Sequence, residues 1–174
     1  CPECSKEVIF WEVAVDKDLG QVNDSFSCPA CYVTLTKRNM ERAWVSRYDS
    51  SLKQTIRQAK QVPVLINYTV NGKRAEKQPE KLDFELLEQI EKLEIPYWFP
   101  VDELPDGLNT RQPKGSHGFT RVHHFYSKRN LYLLGYLRKA IKTSALYRQL
   151  SFLVNSYDFS HSTLMSRLIF KSGG

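Results

Sequence analysis

Hydrophobic and polar positions along this chain form short blocks that predict a mixture of strands and helices. The first block, "VIFWEVAV" at residues 8–15, is rich in β-branched and aromatic residues, and the "DKDLGQ" that follows carries turn-forming residues. This pattern predicts a hairpin. A second hairpin is predicted in "VPVLINYTVNGKRAEKQP", residues 62–79, because Asn71-Gly72 readily adopts the positive φ angles of a type I′ turn.

Helical spacing is clearest in residues 79–94 and 127–157. The first segment predicts an acidic amphipathic helix that ends before Pro96 and turns four residues towards a core: Leu82, Leu86, Ile90 and Leu93. The second predicts a long helix with Ser127 as its N-cap and a similar stripe: Leu131, Leu134, Leu137 and Ile141.

Three further segments complete the predicted fold. Residues 36–61 predict two basic helices, the second capped by Asp49, Ser50 or Ser51. Residues 95–118 contain four prolines and three glycines, which predict an extended loop anchored by the aromatic run 97–99 (Tyr-Trp-Phe). Residues 162–171 predict one more helix or strand. The predicted fold class is α+β, with a Cys4 zinc-ribbon-like hairpin module at 1–36 and an α+β domain at 37–174 that carries a β-hairpin, several helices and a basic loop, 107–126.

The four cysteines occur as two Cys-Pro-x-Cys knuckles, Cys1/Cys4 and Cys28/Cys31. This spacing is typical of a Cys4 zinc site, in which two tight turns each present two thiolates to a tetrahedral ion. A hairpin of this size buries too little surface to fold alone, and metal binding supplies the missing free energy. Two disulfides or a redox pair are the alternatives. Four protein ligands leave no open position, so we expect structural rather than catalytic zinc.

Charge is distributed unevenly along the chain. Residues 37–77 carry ten Lys/Arg and three Asp/Glu, residues 78–106 carry two and nine, and residues 107–148 carry nine and none. A fold that brings the two basic blocks together presents a positive face suited to an anionic partner. The alternative is that the acidic block simply neutralises them.

Motifs of common enzymes are absent from the sequence: it has no Gly-rich phosphate loop, no G-x-S-x-G and no H-E-x-x-H. Adjacent His123 and His124 are expected to point in different directions on a strand or helix and so to be poorly placed to share a metal. A hydrogen bond in the core is the usual fate of such a histidine.

The segment "HGFTRVHHFYSKRN", residues 117–130, and the residues before it suit DNA contact better than catalysis. Lysine and arginine neutralise phosphates, and a helix beginning near Ser127 offers N–H groups to an anion. Because such loops often fold on binding, we expect 107–126 to be partly disordered without DNA. The predicted DNA-contacting residues are Arg111, Lys114, Arg121, His123, His124, Lys128 and Arg129.

Four strings together resemble the middle segment of a family of large prokaryotic DNA methylases that methylate the amino group of adenine or cytosine. These strings are "FWEVAVDKDLGQVNDSFSCPAC", "RQAKQVPVLINYTVNGKR", "EIPYWFPVDELP" and "GFTRVHHFYSKRNL". The family's S-adenosylmethionine-binding motif, F-x-G-x-G, and its catalytic D-P-P-Y or D-P-P-F motif are not in this sequence. The resemblance therefore implies an inserted target-recognition segment, with S-adenosylmethionine bound only in the parent enzyme.

Taken together, these patterns predict a DNA-recognition domain that does not transfer a methyl group alone. Its expected partners are double-stranded DNA and the catalytic domain of the same protein. A structural or protein-docking insert is the alternative, and a third possibility places His123 or His124 beside the flipped base. The chain starts at Cys1, so we interpret it as a piece of a longer protein. With no signal peptide and no apolar run near the roughly 18 residues of a membrane span, we expect a cytoplasmic protein.

Overall fold

A computed structural model of the chain describes residues 1–161 and has a mixed α+β fold. Within these residues the strands form four two-stranded hairpins. Their bounds are β1 Val15–Asp16 with β2 Gln21–Val22, β3 Ser25–Ser27 with β4 Thr34–Thr36, β5 Trp44–Asp49 with β6 Gln54–Ala59, and β7 Ile66–Val70 with β8 Lys73–Lys77. The α-helices are α1 Phe10–Ala14, α2 Lys81–Lys92, α3 Leu108–His117, α4 Lys128–Ile141 and α5 Tyr147–His161. The segment 162–171, for which one more helix or strand was predicted, lies outside the described residues.

These elements belong to two compact units. Among the described residues, the first unit comprises 1–47 and 57–78, and the second comprises 48–56 and 79–161. The predicted domain boundary at residue 36 falls inside the first unit. The β7–β8 hairpin, which was assigned to the second predicted domain, belongs to the first unit.

The core of the first unit lies around the cysteines. Its buried members are Ala14, Phe26, Cys28 and Leu35. Phe26 pairs with Leu35 across β3 and β4, and the ring of Phe10 meets Phe26 edge to face with centroids 5.7 Å apart. The strand predicted over residues 8–15 is wrong for most of its length, because Phe10–Ala14 forms a short helix that places Phe10 and Ala14 against this core.

The β7–β8 hairpin confirms the prediction made from Asn71-Gly72. These residues have φ of 51° and 75°, as a type I′ turn requires. The strands pair in register from Ile66 opposite Lys77 to Val70 opposite Lys73.

The two helices predicted in 36–61 are wrong, because this segment forms β5 and β6. Asp49 does accept backbone N–H groups with its Oδ1 atom, from Ser51 at 2.9 Å and Leu52 at 3.2 Å. An aspartate makes the same bonds at a helix N-cap and in a tight turn. Here the chain reverses at Lys53, which has a φ of 54°, and a strand follows.

In the second unit α2 is confirmed as a helix, but its predicted orientation is wrong. The N–H of Glu80 donates to Asp83 at 2.8 Å and fixes the first turn. No residue of α2, all of which the structure describes, is buried. Leu82 and Leu86 of the predicted core stripe are 73% and 55% exposed.

The loop predicted at 107–126 is also wrong, because residues 108–117 form α3 and Val122–Phe125 form a 3₁₀ turn. Pro113 lies inside α3 and is buried, although proline usually disfavours a helix interior. Gly118 ends the helix in the left-handed conformation, and its N–H donates to the Lys114 carbonyl. Phe119 is only 2% exposed. A packed helix and turn therefore stand where partial disorder was expected.

Helix α4 begins as predicted at Ser127, whose Oγ accepts the N–H of Asn130 at 3.3 Å. Leu131 of its predicted stripe is buried, whereas Leu137 is 43% exposed. Gly135 lets Tyr97 approach, since a Cβ atom there would lie 2.7 Å from the Tyr97 Cβ. Of the predicted aromatic anchor at 97–99, Tyr97 therefore packs against α4, whereas Trp98 is 73% exposed.

No helix within residues 1–161 is long and apolar enough to cross a membrane.

Candidate functional site

The two cysteine knuckles share one backbone conformation. In each, the residue after the second cysteine has a positive φ, 58° at Ser5 and 61° at Tyr32. Its N–H donates to the carbonyl of the first cysteine, Cys1 or Cys28, at 3.0 Å in both knuckles. Each chain reversal brings two thiols into one small region, and the β3–β4 hairpin holds the second knuckle in place because Cys28 N–H donates to the Val33 carbonyl.

The four sulfur atoms lie within 4.8 Å of one another, close enough to bind a single metal ion. Sγ of Cys1 is 3.7 Å from that of Cys31, and Sγ of Cys4 is 3.8 Å from that of Cys28. A tetrahedral ion with metal–sulfur bonds of roughly 2.3 Å has sulfur–sulfur edges of about 3.8 Å. A disulfide needs about 2.0 Å. The predicted convergence of the four cysteines is confirmed, and their spacing fits a metal ion.

The thiols of this cluster ionise unequally. Backbone N–H groups of Ala30 and Cys31 lower the pKa of Cys28 to about 7. The pKa of Cys31 is raised: the N–H of Val33 favours its thiolate, but burial and the sulfurs of Cys4 and Cys28 outweigh that effect. A bound cation would offset this repulsion, because every thiolate then faces a positive charge.

A second polar cluster lies in the second unit, where one carboxylate oxygen contacts two adjacent imidazoles. Oδ2 of Asp49 is 2.8 Å from Nε2 of His123 and 3.1 Å from Nε2 of His124. The side chains of Asp49, His123 and His124 are 8%, 7% and 1% exposed. We call these three residues the Asp49 clamp. It fastens the turn between β5 and β6 to the 3₁₀ turn.

The expectation that His123 and His124 point in different directions is wrong. Their ring centroids lie 4.4 Å apart, and both Nε2 atoms reach the same oxygen. The expectation considered only the directions of successive Cβ atoms. An imidazole extends several bonds beyond Cβ, so rotation of the two side chains in the tight 3₁₀ turn brings the ring edges together.

Backbone hydrogen bonds fix the tautomer of His124. Its Nδ1 faces the backbone N–H groups of Thr120 and Arg121 at 3.2 and 3.3 Å. These groups can only donate, so Nδ1 accepts and the ring proton resides on Nε2, from which it is donated to Asp49. Burial opposes ionisation of Asp49, but the hydrogen bonds from both imidazoles outweigh it and lower the pKa of Asp49 to about 2.

The same bonds argue against a metal ion in the Asp49 clamp, although its three donor atoms lie within 4.8 Å of one another. A metal-bound histidine donates its second ring N–H to an acceptor. Nδ1 of His124 instead faces two donors, and buried Nδ1 of His123 has no hydrogen-bond partner among the described residues. The clamp is a hydrogen-bonded cluster in which both imidazoles contact one carboxylate oxygen. Sequence reasoning missed it because no local pattern links Asp49 to the two histidines.

The predicted DNA-contacting residues do not form one exposed patch. Lys114 pairs with Asp106 at 2.6 Å, Arg121 pairs with Glu103 at 3.4 Å, and Lys128 donates to the carbonyl of Glu91 at 2.5 Å. Arg111 and Arg129 are exposed. His123 and His124 are buried, and the Nε2 atom of each contacts Asp49 inside the protein. Their contact with DNA stays a prediction.

Comparisons of the chain with protein-family models, with curated proteins and with solved structures give no match. Its resemblance to amino-methylating DNA methylases therefore stays a prediction.

Proposed function

We propose that this chain is a zinc-stapled DNA-gripping domain of a larger DNA methyltransferase. It holds double-stranded DNA while a catalytic domain of the same protein binds S-adenosylmethionine and transfers the methyl group. The chain supplies cationic side chains and a fold that presents them. It does not supply the chemistry.

The observation that carries this proposal is the concentration of cations in one stretch of the second unit, residues 107–148. Residues 107–148 contain nine Lys/Arg and no acid. Five of these cations are exposed and form no ion pair among residues 1–161: Arg111, Arg129, Lys139, Lys142 and Arg148. Unpaired surface cations attract a polyanion, and neutralising DNA phosphates releases condensed counterions.

Zinc is the metal that the donor set favours. Four thiolates in tetrahedral geometry are typical of structural zinc. Bound by Cys1, Cys4, Cys28 and Cys31, the ion would complete a core whose buried apolar members are few. It has no open position and takes no part in chemistry.

A salt-dependent titration tests the proposal. The metal-loaded chain is titrated with labelled duplex DNA at several salt concentrations, beside an Arg111→Ala/Arg129→Ala variant. We expect the affinity to fall steeply with salt. The slope of log K against log salt should be smaller in the variant by roughly 2, because each phosphate that is no longer neutralised reduces it by about 0.9.

A matched control removes two exposed cations of the first unit, in a Lys6→Ala/Lys17→Ala variant. Its salt slope should equal that of the unmodified chain. If the unmodified chain fails to bind DNA even at low salt, the proposal is wrong.

One observation favours the alternative of a protein-docking insert. Helix α2 exposes much of its apolar side, with Leu82 and Leu86 more than half accessible, and large exposed apolar patches often mark protein contacts. In that case a Leu82→Ser/Leu86→Ser variant would lose affinity for the separately produced catalytic domain. Its DNA binding would be unchanged.

A further inference from the structure

A groove between α4 and α5, bounded on one side by Trp98, combines an exposed aromatic ring with an unpaired cation, Lys142. It is lined by Trp98, Arg138, Ile141, Lys142, Tyr147 and Asn155, among others. Arg138 holds the two helices together by donating to Asn155 at 2.8 Å. The groove lies wholly within the second unit.

Trp98 differs from the aromatic residues beside it in the chain. Tyr97 packs edge to face against Tyr132 with ring centroids 5.3 Å apart, and Phe99 lies 5.8 Å from the ring of His123. The indole of Trp98 is instead 73% exposed. An indole so accessible offers a flat face on which another ring can stack.

The charges around the groove indicate which class of ligand it can bind. Asp158 is the only acid in residues 107–161, and Arg138 lies 3.9 Å from it. Lys142 is exposed and forms no ion pair among residues 1–161. An uncompensated cation beside an exposed aromatic ring suits a ligand that carries both a flat ring and a negative charge.

The volume of the groove further restricts the ligands that it can bind. Its volume is about 110 Å³, well below the roughly 300–1,000 Å³ of pockets that enclose small molecules. It can seat one planar ring while the rest of the ligand stays outside. A nucleic-acid strand meets this description, because it offers a base to the ring and phosphates to the cations.

We propose that this groove holds an unpaired base of nucleic acid, stacked on Trp98, with Lys142 contacting a neighbouring phosphate. The inference rests on the proposed DNA-gripping function and deepens it, because it places a base contact outside the segment 111–129. The groove contributes recognition of locally opened DNA, whereas exposed Arg111 and Arg129 contact phosphates of any duplex.

The test compares two labelled duplexes of the same sequence, one fully paired and one with a single unpaired base. The metal-loaded chain should bind the second more tightly. Trp98→Ala should abolish this preference, with roughly tenfold weaker binding of the duplex that has the unpaired base. Binding of the paired duplex should change little, and Trp98→Phe should restore part of the preference.

Two control variants separate this contact from general effects. Phe152→Ala removes an aromatic side chain of α5 that is 75% exposed and does not line the groove, so the preference should persist. Arg129→Glu should weaken the binding of both duplexes by the same factor. Lys142→Glu should weaken the binding of the duplex with the unpaired base more than the binding of the paired duplex.

The outcomes separate failure of this inference from failure of the proposed function. If both duplexes bind in a salt-sensitive manner and Trp98→Ala leaves their ratio unchanged, the groove assignment is wrong while the DNA-gripping function stands. If neither duplex binds at low salt, both are wrong.

Discussion

The cysteine cluster and the Asp49 clamp are both compact polar clusters, but they are assembled differently. Each cysteine knuckle is a local turn of four residues, and its thiols repel one another once they ionise. The clamp joins Asp49 to histidines 74 and 75 positions later in the chain, and its carboxylate is balanced by imidazole N–H donors. A cation from outside the chain would therefore stabilise the first cluster. The second is complete without one.

Removing the metal is expected to have the largest effect. Metal binding contributes roughly 10 kcal/mol or more to the folding of small zinc modules, so a chelator or Cys28→Ser should unfold the first unit. Helices α2 to α5 should remain. Two-dimensional NMR follows both units at once, and Ser27→Ala serves as the control, because Ser27 is an exposed neighbour of Cys28. If the chelated chain keeps the spectrum of a folded first unit, the ion is not structural.

Asp49→Asn tests the Asp49 clamp with a change of only a few atoms. An amide that replaces the buried carboxylate leaves at least one imidazole N–H without a good acceptor, so we expect a loss of about 2–4 kcal/mol in the free energy of unfolding. Asp16→Asn is the matched control. Asp16 caps the β1–β2 turn with the same backbone bonds, to Asp18 and Leu19, at 3.0 and 2.9 Å.

Chemical denaturation measures both variants, and Asp16→Asn should cost about 1 kcal/mol or less. Equal losses of unfolding free energy in the two variants would show that the two imidazoles do not stabilise the turn between β5 and β6.

Gly135→Ala examines another contact between distant parts of the second unit. The added methyl group would press on the Tyr97 Cβ, and overpacking of this kind typically costs about 1–3 kcal/mol, which exceeds the gain in helix propensity. Gly115→Ala in α3 is the control, since nothing lies within 4 Å of its added Cβ. It should raise stability by about 0.5–1 kcal/mol. Thermal unfolding measures both variants. If both change the melting temperature in the same direction, the close approach of Tyr97 to α4 is contradicted.

The pH dependence of the Asp49 clamp should be the smallest of these effects. The pKa of Asp49 is lowered from 3.8 to about 2, so its contribution is fully present above pH 3.8 and is lost as the pH falls through about 2. The difference in melting temperature between the unmodified chain and Asp49→Asn should therefore narrow over this range. A constant difference would mean that the ionised carboxylate does not stabilise the folded state.

Local signals in the sequence predicted the features that depend on neighbouring residues. Asn71-Gly72 specified its hairpin, Ser127 specified the start of α4, and the spacing of the cysteines specified their cluster. In each case the determining side chains lie within a few positions of the backbone groups that they control.

Features that depend on distant residues were not predicted. Pro113 and Gly115 disfavour a helix locally, yet α3 forms and Pro113 is buried within it. Asp49 satisfies the same local rule in a turn as in a helix cap, so helices were wrongly predicted where β5 and β6 form. Nothing near His123 indicates that its partner lies 74 residues earlier.

The number of zinc ions bound per chain tests most directly the contrast between the cysteine cluster and the Asp49 clamp. The purified chain, the Cys28→Ser variant and the Asp49→Asn variant are each loaded with zinc, dialysed and assayed for bound metal. The chain should retain one zinc ion, Asp49→Asn should retain one as well, and Cys28→Ser should retain none. A second ion that Asp49→Asn loses, or full retention of zinc by Cys28→Ser, would contradict the assignment of the metal to the cysteines alone.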